Sequence, residues 1–64
     1  MKQYRVYLDG RSLTASYDNL LVEVMAEDED DAVRRAKHKL TRPGGTFFDW
    51  SPSMFEVRRV ERGF

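Results

Sequence analysis

The chain has 64 residues, no cysteine, and eleven Lys and Arg against eleven Asp and Glu, for a formal net charge of zero. A single domain of this length buries only about 60% of the surface its unfolded form exposes, which excludes a deep enclosed active site, and no disulfide or thiolate metal site can reinforce the thin apolar core. Balanced charge removes any general attraction to nucleic acid or anionic lipid. No signal-peptide core follows Met1, and no apolar run approaches the roughly 18 residues that span a bilayer, so a soluble cytoplasmic domain with no membrane association is expected.

Gln3 to Leu8 alternates, with Tyr4, Val6 and Leu8 on one side and Gln3, Arg5 and Tyr7 on the other, the period-2 pattern of a half-buried strand. Asp9-Gly10 tolerates positive φ, and the polar stretch from Arg11 to Asn19 reads as a wide hairpin connection ending at a second punctuation mark, Asp18-Asn19. Leu20 to Ala26 is the clearest strand, with Leu20, Val22, Val24 and Ala26 facing one way.

Five consecutive acids, Glu27 to Asp31, follow. Asp28 stands three residues before Asp31, the spacing of a reciprocal helix cap, and acids in a first turn complement the positive end of the helix dipole. Ala32, Val33, Ala36 and Leu40 form one apolar stripe, and Asp30 with Arg34 and Asp31 with Arg35 are spaced for i,i+4 ion pairs. Pro43-Gly44-Gly45 stops the helix, so its end falls near Leu40 or Thr41. Thr46 to Ser53 is an aromatic loop holding Phe47, Phe48 and Trp50. Phe55 to Val60 is the last strand, with Phe55 and Val57 facing in; Val60 breaks that parity, and a bulge near Arg58-Arg59 restores it.

The order strand, strand, helix, strand predicts an α+β fold: a three-stranded antiparallel sheet with one helix packed on one face. The other face is left to water, to a partner, or to a second copy of the chain, for which an edge strand is the alternative pairing site.

Catalysis finds little support. His38, the only histidine, sits between Lys37 and Lys39 with no carboxylate spaced to orient it, and the acidic block lacks the glycine and distal glutamate of a calcium loop. No metal or other cofactor is expected. Two alternatives use the charge runs. Arg34, Arg35, Lys37 and Arg42 with Trp50 would suit a small nucleic-acid-binding module, and Glu27 to Asp31 would suit a DNA mimic that inhibits a host defence nuclease. Helix capping and dipole complementarity account for both runs without either function.

The last strand is more specific. Phe55-Glu56-Val57-Arg58-Arg59-Val60, together with Val24-Met25-Ala26-Glu27 leading into Asp30-Asp31-Ala32 and Ala36, resembles the small inhibitor of bacterial RNA polymerase encoded early by short-tailed bacteriophages. The resemblance covers Leu20 to Ala36 and Phe55 to Val60. It implies a non-enzymatic inhibitor that docks on the jaw of the polymerase largest subunit with an arginine-bearing last strand. Arg59 falls on one of that family's binding arginines; Glu61 stands where the second would be, with Arg62 one step on. The helix is basic from Arg34 to Lys39, where the family's is mainly acidic. A partner-binding set of Glu56, Arg58, Arg59 and Arg62, with Phe48 and Trp50 of the aromatic loop beside it, is therefore expected.

Overall fold

In the computed structural model, which describes residues 1–63, β1 (Lys2–Arg11) is the middle strand of a sheet flanked by β2 (Ser16–Ala26) and β3 (Phe55–Arg62). Both pairings are antiparallel. The two outer strands therefore run parallel to each other, and the chain between them has to cross a face of the sheet. The helix α1 (Glu29–Thr41) makes that crossing, and a short 3-10 turn at Pro52–Met54 leads into β3. This is the α+β architecture predicted from the order of elements.

The alternation of β1 buries Tyr4, Val6 and Leu8 against α1, joined by Val22 and Ala26 of β2. Ala32 and Ala36 are fully buried, and such small side chains let the helix lie close to the strands. Leu20, Val24, Val33, Leu40 and Val60 pack around this centre. The helix lies mainly over β2 and less over β3. For that reason Val57, which stands on the helix side opposite Leu8, remains 45% exposed instead of entering the core as its parity predicts.

The helix starts at the predicted cap, with the return bond shifted one residue back to Glu27. Asp28 accepts the Asp31 backbone N–H at 2.8 Å, and the Asp31 carboxylate accepts the Glu27 N–H at 3.0 Å. The expected Asp30–Arg34 pair is replaced: Arg34 and Arg35 both donate to Asp31. The cap holds that carboxylate against the first turn, where partners three and four residues on both reach it. After Thr41 the chain reverses through Gly44 at φ 84°, and the Phe47 N–H donates to the Leu40 carbonyl at 2.9 Å, which satisfies a helix-end acceptor and seats Phe47 below the helix terminus.

Two bulges set the register. Arg11 to Asn19 is not a wide loop: β1 runs on to Arg11, β2 begins at Ser16, and the Ser12 N–H closes the turn on the Ala15 carbonyl at 2.8 Å. The polar pair Asp18-Asn19 is a bulge in β2, lying opposite Asp9 between the Leu8–Leu20 and Gly10–Tyr17 pairs, with Asn19 at φ 58°. Asparagine tolerates this left-handed conformation, so a residue that looks like a turn signal continues the ladder instead. The second bulge is the expected one. Tyr7 pairs with Arg59 and Leu8 with Val57, leaving Arg58 as the extra residue and returning Val60 to the core side.

Candidate functional site

Because side chains alternate along strands, the face away from α1 carries Arg5, Tyr7 and Asp9 from β1, Leu21, Glu23 and Met25 from β2, and Glu56, Arg59 and Glu61 from β3. Among the described residues no element covers this face. Leu21 and Met25 are 51% and 50% exposed.

Tyr7 lies directly across from Arg59, and the Arg59 guanidinium stacks over its ring, 4.4 Å from the centroid. The Arg59 Nε also meets Glu61 at 3.4 Å, and the Tyr7 hydroxyl donates to the other oxygen of Glu61 at 3.2 Å. Arg59 is thus held by a ring below and a carboxylate beside it while its side chain stays 62% exposed. Arg58, pushed out by the bulge, donates to Asp9 Oδ1 at 3.3 Å. On the other side of β1, Arg5 meets Glu23 at 3.6 Å. The open face therefore presents two paired arginines of β3, with Leu21 and Met25 exposed on β2 across the middle strand.

The expected partner-binding set does not form one surface. Glu56, Arg58 and Arg59 share the open face, but Arg62 pairs with Tyr4 and lies on the helix side, 5.7 Å from the Tyr4 ring centroid, in a depression it shares with Asp28, Glu29 and Asp30. Trp50 is also on the helix side, half-buried, in a set of mutually edge-on and tilted rings with Tyr17, Phe47 and Phe55 at centroid separations of 5.0 to 5.8 Å. These rings fill the space above Gly10, where an added Cβ would stand 2.7 Å from Phe55 Cε1 and 3.2 Å from Trp50 Cζ3. Phe47 is buried, so of the three loop aromatics only Phe48, 66% exposed, is left free of the packing. The cause is the hairpin: extended past both punctuation marks, it brings Tyr17 and Gly10 beneath a loop that the sequence leaves without a floor.

Of the nucleic-acid set, Arg34, Arg35 and Arg42 line one groove along β2 with the exposed His38, although Asp31 engages Arg34 and Arg35, whereas Trp50 is held apart among its neighbouring rings. The Asp31 carboxyl is held below the usual carboxylate value of 3.8, chiefly by the Glu27 backbone N–H and further by Arg34 and Arg35, with its partial desolvation acting the other way. Among the described residues no group of three or more His, Asp or Glu converges as a metal cage, and no helix is long and apolar enough to cross a membrane.

Sequence reasoning missed Tyr7, Asp9 and Glu61 as the supports of the two arginines. Alternation puts Tyr7 and Arg59 on the same face, and the strand register sets one under the other. The fold and this face define a small α+β domain with one uncovered sheet face. Comparison with protein-family models, with curated proteins and with solved structures gives no match.

Proposed function

We propose that the protein is a non-enzymatic, phage-type binding protein that docks stoichiometrically on a host macromolecular machine, bacterial RNA polymerase first, and inhibits or redirects it in the host cytoplasm. The observation that carries the docking surface is Arg59: it stacks on Tyr7 and pairs with Glu61 while staying exposed, contacts that reduce the side-chain entropy lost on binding. Arginine presented this way makes forked, charge-assisted bonds to carboxylates, and Leu21, across Tyr7 on the same face, supplies exposed apolar area. The choice of polymerase rests on the resemblance of Phe55–Val60, in which Arg59 is the residue that falls on a binding arginine.

The test is capture from a bacterial lysate on the immobilised protein, followed by promoter-opening assays with purified polymerase. The reading requires recovery of the largest polymerase subunit and a block of opening at stoichiometric protein. Recovery of no polymerase subunit at micromolar protein removes that target.

A further inference from the structure

β2 is an outer strand, so one of its edges has no ladder partner in the sheet. The carbonyl of Glu23 points outward along this edge and accepts from the Lys39 ammonium at 3.1 Å. Since the N–H and C=O of one residue point to the same side in an antiparallel strand, Leu21 and Met25 present theirs outward with Glu23. Depressions lie on either side of the Lys39 strap. One, of ≈ 590 Å³, is lined by Val24 and Met25 on the strand and by Arg34, Arg35 and His38 on α1; the other, of ≈ 400 Å³, runs past Leu21 and Leu40 to Thr46. Glu23, Lys39 and Arg42 border both, so the two make one trough along the strand edge.

The trough is charged on one side. Its helix wall carries Arg34 and Arg35, both paired with Asp31, then His38, Lys39 and Arg42, and its one acid, Glu23, has its carboxylate turned to Arg5. No Phe, Tyr or Trp lines it among the described residues, which leaves single-stranded nucleic acid without the large stacking platform it uses. An unpaired strand edge beside a cationic wall suits a different ligand.

We infer that the trough between the free edge of β2 and the basic side of α1 receives an extended acidic peptide segment of a partner protein, which adds to the sheet as a fourth strand beside β2. The peptide backbone takes the outward groups of Leu21, Glu23 and Met25, and its helix-side carboxylates meet His38, Lys39 and Arg42. Lys39 releases the Glu23 carbonyl and swings onto a peptide carboxylate, a small rotation for a flexible ammonium arm. In the free protein the same contact guards the edge against unspecific pairing. The site lies at the opposite edge of the sheet from β3 and does not depend on the polymerase reading.

The experiment is an NMR titration of the full chain with a short synthetic peptide alternating glutamate and valine. Its controls are the lysine–valine counterpart, a single-stranded DNA oligonucleotide, and the glutamate–valine peptide N-methylated at every backbone position, which leaves neither edge a donor. Binding of the acidic peptide should shift the amides of Leu21, Glu23 and Met25 and slow their hydrogen exchange, and Arg42→Glu should weaken it by about tenfold. The N-methylated peptide keeps every carboxylate but loses ladder donors, and should not bind, an outcome that needs no protein variant to fold. Three results overturn the inference: no shift along this edge, undiminished binding of the N-methylated peptide, or tighter binding of the oligonucleotide than of the peptide.

Discussion

Asp9 joins the two bulges of the sheet: its Oδ1 accepts the backbone N–H of Asn19 in the β2 bulge at 2.9 Å, and the same oxygen accepts from Arg58 in the β3 bulge at 3.3 Å. One carboxylate in the middle strand thus anchors the irregularities of both neighbours. The exposed ion pair contributes little, whereas the Asn19 N–H, left without its partner, would lose a fixed acceptor at a position already in left-handed conformation. Asp9→Ala is expected to cost about 1–2 kcal/mol in urea unfolding. Asp9→Asn, which keeps an oxygen in place, should cost less than half of that.

Gly10 is required for a steric reason. A methyl group there meets the Phe55 ring at 2.7 Å and Trp50 at 3.2 Å, and both rings are wedged against Phe47. Gly10→Ala should therefore destabilise by about 1–3 kcal/mol, the range for overpacking, despite the better strand propensity of alanine. A red shift of Trp50 fluorescence in the folded variant would report the displaced ring; an unchanged spectrum with unchanged stability would refute the packing account.

Phe47 and Phe48 are neighbours in sequence with opposite fates, one buried under the end of α1 and one at the surface. Phe47→Ala removes a ring from a small aromatic core and should cost about 3–5 kcal/mol, enough to unfold much of the population of a domain this size. Phe48→Ala should change stability by no more than about 0.5 kcal/mol. Thermal unfolding followed by circular dichroism separates the two.

The Asp31 carboxyl, lowered by the Glu27 N–H and by Arg34 and Arg35, links stability to pH. A group whose pKa is depressed on folding contributes stability that is fully present above its unfolded value of about 4 and disappears as pH falls through the lower folded value. Asp31→Asn should accordingly be less stable than the parent at neutral pH, with the difference shrinking below about pH 4. A difference that persists undiminished in acid would show that the capping geometry, and not the ionised form, is what matters.

Arg59 and Arg62 sit on opposite faces, so the polymerase reading makes them behave differently. Arg59→Ala should weaken capture of the polymerase by about tenfold or more, and Arg62→Ala should leave it unchanged. Equal losses at both positions would mean that the partner does not lie flat on the open face.

The existence of three strands and one helix, and most of the core, were legible from single residues and their spacing, whereas the length of the first hairpin and the exposure of Val57 were not. The alternation of Tyr4, Val6 and Leu8, the Asp28–Asp31 cap and the Ala32–Ala36 stripe are local patterns, and local backbone periodicity converts them directly into faces. Even the β3 bulge could be read, because Val60 is out of step with Phe55 and Val57. The partner of each residue across the sheet was not legible. Whether Asn19 ends a loop or bulges within a strand depends on Asp9 ten residues away, and whether Trp50 anchors a partner or roofs the protein depends on Tyr17 and Gly10. For the Arg58, Arg59 and Arg62 group, composition put three cations on one strand, but strand pairing divided them between two faces and set Tyr7 beneath one. Sequence by itself determined the type and order of the elements and the faces of their central residues, since these follow from the backbone's own periods, but not how far the first two strands extend. Only tertiary structure decided which arginine is held ready at the surface, since that is settled by contacts between strands far apart in the chain.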